Sequence, residues 1–157
     1  MNDEIFYGSS YNGSKKFKQQ DVKTANATGF GAAADDYMER GIDLNEQLIK
    51  NKPATYFFKM NSDAMEAAHI FMNDILIVDR SIKASNGKII IASVNGELLI
   101  RHYYQNHDKT LLSTNNKKHK DISIDEFTQF QSWGVVTCII HMIEPLLIAF
   151  NRAKEKK

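Results

Sequence analysis

Several short segments rich in β-forming residues follow one another after Pro53, and they constrain the fold more than any other feature of the chain. They are dominated by Ile, Val, Phe and Tyr, the residues that strands prefer, and they are short, as strands usually are. Between two of them lies Asn95-Gly96, a pair that tolerates the positive φ of a type I′ hairpin turn. The predicted strands are ATYFFKM (54–60), DILIVDR (74–80), KIIIASV (88–94), ELLIRHYY (97–104), TLLST (110–114) and SWGVVTCIIHMI (132–143). The sequence therefore predicts a mainly β domain.

One helix is predicted before these strands. The segment DLNEQLIKN (43–51) begins with Asp43, a good N-cap residue, and Glu46 follows three positions later, as a capping box requires. Pro53 prevents the helix from continuing, because proline lacks the backbone N–H.

The ends of the chain differ in character from the β region. Residues 1–34 are polar or small, rich in Gly, Ser and Lys, and show neither helix nor strand periodicity. We therefore predict a flexible arm, with residues 5–7 docking on the domain, and a short helix after Pro145 in the tail. The predicted division is an arm (1–34), a β domain (35–143) and a C-terminal tail (144–157).

Composition limits the classes of function. The chain has 20 Lys and Arg against 19 Asp and Glu, so its net charge of +1 gives no electrostatic basis for direct, tight nucleic-acid binding. A single cysteine, Cys138, cannot form an internal disulfide, which suits a reducing compartment. No stretch approaches the roughly 18 apolar residues of a membrane span, and the first residues lack the apolar region of a secretion signal. We therefore expect a cytoplasmic protein without a membrane partner.

Four segments together carry a resemblance. They are TGFGAAADDYMERGIDLNEQLI (28–49), ATYFFKMNSDAM (54–65), NDILIVDRSIKASNGKIIIASVNGELLIRH (73–102) and WGVV (133–136). In this order and spacing they resemble the LexA/UmuD family of self-cleaving serine peptidases, and the short arm in place of a DNA-binding domain points to its UmuD branch. The resemblance implies a fold of curled antiparallel sheets with one short N-terminal helix and a flexible arm.

The resemblance also assigns positions to the family's chemistry. The bond that is cut in relatives corresponds to Thr28-Gly29, the nucleophilic serine to Ala64, and the general-base lysine to Arg101. A Ser-Lys dyad needs a hydroxyl to attack the carbonyl and a neutral lysine to accept its proton. Alanine has no nucleophile, and a guanidinium stays protonated in proteins. The sequence therefore predicts the frame of a peptidase site without its chemistry.

Other residues offer no substitute. Ser62 lies two positions before Ala64 and is predicted to be a turn serine that bonds local backbone. The five histidines have no ligand spacing, and His102 and His107 are expected at the surface, so we expect no metal and no cofactor. Asp79 and Arg80 are predicted to cap a turn.

The resemblance implies a function and leaves alternatives open. The leading hypothesis is a catalytically silent UmuD-like protein of the SOS response to DNA damage, a homodimer that regulates a translesion DNA polymerase of the UmuC type. A RecA filament is implied as a further partner, and mixed dimers with active relatives are possible. One alternative is a self-processing peptidase inactivated by an engineered Ser→Ala change, although Arg101 favours natural loss. The other is a headless repressor-type dimerisation domain.

Overall fold

The computed structural model describes residues 4–11 and 41–144. Their strands are β1 (Ile5–Ser10), β2 (Thr55–Met60), β3 (Ile75–Asp79), β4 (Ile89–Val94), β5 (Glu97–Asn106), β6 (Lys109–Ser113), β7 (Ile122–Ile124) and β8 (Phe130–Ile140). One helix, α1 (Leu44–Leu48), and two 3-10 turns, Lys52–Ala54 and Glu66–Ala68, complete the regular structure of these residues. The prediction of a mainly β fold with one short helix is confirmed.

All eight strands of the described residues belong to one sheet, in the spatial order β1-β2-β3-β8-β4-β5-β6-β7. Every neighbouring pair is antiparallel. Strand β8 lies between β3 and β4 and so joins the two halves of the sheet. Its register shifts between Ile77 and Val78 of β3 and between Ile91 and Ala92 of β4. Irregularities of this kind bend a strand, and the expected curled antiparallel architecture takes the form of one eight-stranded sheet in the described residues.

Gly134 lets β8 approach β3 closely. A Cβ atom at this position would lie 2.7 Å from Val78 Cγ1 and 3.3 Å from the carbonyl oxygen of Asp79. The first distance is shorter than a van der Waals contact allows, so only glycine fits without a shift of its neighbours.

Two groups of buried residues form the core. The first lies around β1, β2, β3 and the turn after β2, and it contains Ile5, Phe58, Met60, Ala64, Met65, Ile70, Leu76, Val78, Ile91 and Ile100. The second lies around β4, β5 and β6 and contains Ile90, Ala92, Val94, Tyr103, Leu112 and Val135. Burial of this apolar surface is the main favourable term in folding.

The hairpin turn and the N-cap read from the sequence are confirmed, although α1 ends at Leu48 and is shorter than the predicted 43–51. The hairpin residues Asn95 and Gly96 both have positive φ, 50° and 88°, as a type I′ turn requires. The Asp43 carboxylate caps α1 by accepting hydrogen bonds from the backbone N–H groups of Asn45 (2.9 Å) and Glu46 (3.3 Å).

Strands β1 and β7 were not predicted as strands. Strand β1 lies in the segment assigned to the arm, and it extends beyond residues 5–7, which were expected to dock. It pairs with β2 from Ile5↔Met60 to Ser10↔Tyr56, so its order comes from a partner far along the chain. Strand β7 has only three residues and pairs with β6. Each has only two or three β-forming residues of its own, so pairing with a neighbouring strand completes it.

One argument for a homodimer fails. The continuous apolar runs KIIIASV (88–94) and WGVVTCIIHMI (133–143) favour a homodimer, because a monomer of this size should not leave them half exposed. Ile90, Ile91 and Ala92 of β4 are instead fully buried within the single chain, because Ile91 packs in the first core group and Ile90 and Ala92 pack in the second. Dimerisation remains a prediction that rests on the resemblance and on β8.

Some predicted features lie outside the described residues. These are the bond Thr28-Gly29, most of the arm, and the helix expected after Pro145. Within residues 4–11 and 41–144, no helix is long and apolar enough to cross a membrane.

Candidate functional site

The turn that follows β2 holds the position assigned to the nucleophile. Ala64 is fully buried, as is Met65 after it, and both belong to the first core group. The backbone N–H of Ala64 donates to Ser62 Oγ at 3.3 Å. Residue 64 therefore has no reactive side chain, and its methyl group is covered by the protein core.

Ser62 behaves as the sequence predicts. Its hydroxyl oxygen is occupied by the backbone of the same turn, so the prediction of a turn serine is confirmed. The neighbouring Asp63 lies near a different element, because its Oδ1 is 3.3 Å from His119 Nε2 in the loop after β6. Both side chains of this pair are partly exposed, and a pair of this kind contributes little to stability.

Arg101 lies on β5 and is buried, with 5% of its surface exposed. Its guanidinium holds the Glu4 carboxylate in a two-pronged ion pair: Nη1 donates to Oε2 at 2.6 Å and Nη2 to Oε1 at 2.9 Å. Nη1 also donates to the carbonyl oxygen of Ile100 at 2.7 Å. Planar bidentate pairing of this kind is what arginine provides and lysine does not. The position assigned to the general base therefore holds a guanidinium cation that is paired with a carboxylate.

Glu4 connects the two halves of the assigned site. Its backbone carbonyl accepts a hydrogen bond from the N–H of Asn61 at 2.7 Å, in the segment that leads into Ala64. Its side chain reaches Arg101, and the N–H of Ile100 donates to Oε2 at 3.5 Å. Ile5, the next residue, is 3% exposed and shares a core group with Ala64. One N-terminal segment therefore contacts both the turn before residue 64 and the strand that carries residue 101.

Sequence reasoning missed this connection. Glu4 and Arg101 are 97 residues apart, and no spacing rule relates them. The one available signal was chemical: an arginine at a buried strand position needs a carboxylate partner, because an unpaired buried charge is costly.

All five histidines lie among the described residues. Among residues 4–11 and 41–144, no three His, Cys, Asp or Glu side chains cluster in a way that could hold an ion. His107 is exposed, as expected, but His102 is half-buried and stacks on Tyr104. A pair that the sequence did not indicate joins His141 Nδ1 to Asp74 Oδ1, and Asp74 is buried. Because Asp74 Oδ2 also accepts the N–H of Phe71 at 2.8 Å, this carboxylate fixes the turn before β3.

Asp79 caps a turn, as predicted. Its Oδ1 accepts hydrogen bonds from the backbone N–H of Ser81 (2.7 Å) and from Ser81 Oγ (2.6 Å). Arg80 does not cap; its guanidinium lies 4.4 Å from the centre of the Trp133 ring, a cation–π arrangement.

An open pocket of about 340 Å³ lies beside Arg80. Its lining contains neither Arg101 nor any residue of the turn at 61–65, so it is separate from the assigned peptidase site. The lining residues are Arg80, Ser81, Ile82, Lys83, Ala84, Tyr103, Phe130, Ser132, Trp133 and Gly134.

Comparison with known proteins agrees with the resemblance read from the sequence. The model of the family described as Peptidase S24-like matches residues 22–137. The chain is 31% identical over 112 residues to the protein MucA of Salmonella typhimurium, covering 71% of this chain and 76% of MucA. It is 30% identical over 118 residues to the protein ImpA of Shigella flexneri (75% and 80%). It is 32% identical over 113 residues to the protein SamA of Salmonella typhimurium (72% and 78%).

The family model spans most of the chain, and it includes the turn with Ala64, the strand with Arg101 and the segment with Thr28-Gly29. The three relatives cover more than two thirds of the chain at about the same identity. This chain therefore belongs to the Peptidase S24-like family, as a UmuD-like member of the LexA/UmuD group of peptidases.

Proposed function

We propose that this protein is a catalytically silent, UmuD-like regulatory subunit that acts in the SOS response to DNA damage. In this proposal it is a cytoplasmic homodimer that binds a translesion DNA polymerase of the UmuC type. The proposed loss of activity is supported by the two residues at the assigned catalytic positions. Ala64 offers no nucleophile, and the Arg101 guanidinium is bound to Glu4.

The Glu4–Arg101 pair supports natural loss over an engineered change. An engineered Ser→Ala substitution would leave the rest of the site as it was, with a lysine at position 101. Here position 101 is an arginine, and the carboxylate of Glu4, 97 residues away along the chain, binds two of its nitrogens. Matched partners of this kind are expected when the site has been rebuilt around the new residue, since an unmatched buried charge destabilises the fold.

An uncut arm has a consequence for partners. Without a working dyad the chain keeps the bond Thr28-Gly29, unless an active relative in a mixed dimer cuts it. The form that meets the polymerase, or a RecA filament, is therefore the full-length chain.

Affinity purification tests the regulatory role. The tagged full-length chain is co-expressed with a UmuC-type polymerase and, separately, with a LexA-type repressor, and a tagged unrelated β domain serves as the control. Recovery of the polymerase in stoichiometric amount is the expected result. Recovery of the repressor alone would favour the headless dimerisation domain, and recovery of neither would contradict the proposal.

A further inference from the structure

Residues 4–11 are bound along the whole length of β2. Five residue pairs join β1 to β2, with one register shift between Tyr7 and Ser9. The N–H of Tyr11 extends the contact by donating to the carbonyl oxygen of Thr55 at 3.1 Å. This is the geometry of strand addition, in which backbone hydrogen bonds supply affinity and side-chain positions supply specificity.

The N-terminal end of this segment is held by side-chain contacts as well as by backbone hydrogen bonds. Glu4 binds the turn at Asn61 through its backbone and the Arg101 guanidinium through its carboxylate. Arg101 Nε is buried and has no hydrogen-bond partner among the residues the structure describes, so the guanidinium depends strongly on Glu4. Ile5 then fills a place in the first core group with 3% of its surface exposed. The N-terminal end of the segment is therefore held through one acidic and one apolar side chain.

The covalent link to the domain lies elsewhere. The described residues resume at Gly41, and residues 12–40 of the sequence include Thr28-Gly29. A cut anywhere in 12–40 leaves every contact described above unbroken. The backbone pairing, the ion pair and the buried isoleucine do not depend on that link.

We infer that the edge of β2 and the Arg101 guanidinium form a peptide-binding groove whose occupant is this chain's own segment 4–11, and that the segment stays bound after the chain is cut within 12–40. Proteolytic cutting of the chain within 12–40 then leaves the edge of β2 covered by segment 4–11. The inference goes beyond the proposed function and does not depend on polymerase binding.

The test uses the full-length chain with a specific protease site replacing residues 15–21. After complete cutting, the sample is separated by gel filtration at micromolar concentration, and each peak is weighed by mass spectrometry. The N-terminal fragment is expected to elute with the domain. Elution of the fragment apart from the domain, with or without unfolding of the remainder, would overturn the inference.

Variants of the same cut chain test the recognition by charge. Glu4→Gln removes the carboxylate and leaves the buried guanidinium without its counter-charge, so the fragment is expected to bind about a hundredfold more weakly. Glu97→Gln is the matched control, because Glu97 is an exposed glutamate at the start of β5. Equal retention of the N-terminal fragment in the Glu4→Gln and Glu97→Gln variants would show that Arg101 does not contribute to binding the segment.

Discussion

A lysine placed at position 101 is expected to be a poor base as long as Glu4 remains beside it. The double variant Ala64→Ser with Arg101→Lys carries both groups of the family's dyad. Each single change should stay inert, since a serine without a base and a base without a serine do no chemistry. In the double variant, however, the new ammonium faces the carboxylate that now binds Arg101 at 2.6 and 2.9 Å. An opposite charge favours the protonated amine and raises its pKa, whereas a general base must be neutral.

The size of this effect follows from the geometry. Lysine is shorter than arginine, so a separation of about 4 Å and an effective dielectric constant of about 20 give an attraction of about 4 kcal/mol. That corresponds to a pKa increase of about 3 units at most, and neighbouring opposite charges commonly produce shifts of about 1–3 units. Each unit lowers the fraction of neutral lysine tenfold at a pH below the pKa. Adding Glu4→Gln to the double variant should therefore speed cleavage about 10–1000-fold at such a pH.

Cleavage at Thr28-Gly29 is measured by intact mass over a pH series from neutral to strongly alkaline. The triple variant is expected to reach its half-maximal rate at a lower pH than the double variant. The double variant with Glu97→Gln serves as the control, and thermal melting confirms that every protein is folded. Identical pH profiles for the double and triple variants would refute the role of Glu4. No cleavage in a folded triple variant would remove the main support for assigning the dyad to positions 64 and 101.

Two further predictions concern the scaffold. Gly134→Ala should lower the free energy of unfolding by about 1–3 kcal/mol, as overpacking does, because the new Cβ would lie 2.7 Å from Val78 Cγ1. In the Val78→Ala background, Gly134→Ala should lower the free energy of unfolding by less than it does in the unmodified chain, as measured by urea titration. Equal losses in the two backgrounds would contradict the proposed clash. Sedimentation of the full-length chain should show a homodimer at micromolar concentration, and a monomer across that range would count against it.

Local pattern predicted most of the strands because their signals are contained in the strands themselves. Strands β2, β3, β4, β5, β6 and β8 carry enough β-branched and aromatic residues to be recognised alone. The hairpin at Asn95-Gly96 needed only its two residues, and the start of α1 needed only Asp43. Strand β1 begins with the β-forming residues Ile5, Phe6 and Tyr7, but Gly8, Ser9 and Ser10 become part of a strand only by pairing with β2.

The contacts around the two assigned positions could not be predicted from the sequence. Order and spacing along the chain were sufficient to assign residues 64 and 101 through the resemblance. They could not reveal that Glu4 binds Arg101 from 97 residues away, or that Asp74 holds His141 across 67 residues. Such contacts depend on how the sheet is assembled, and a single sequence carries no measure of that. The same limit explains why the burial of β4 on both sides was not foreseen.

We propose that this chain keeps the peptidase frame and has lost its chemistry. The most direct measurement is the intact mass of the purified full-length protein after prolonged incubation at alkaline pH, where a lysine base would become neutral. A single species of unchanged mass is expected, because Ala64 has no nucleophile and a guanidinium does not act as a general base. Appearance of a product that begins at Gly29, in a preparation free of other peptidases, would contradict it.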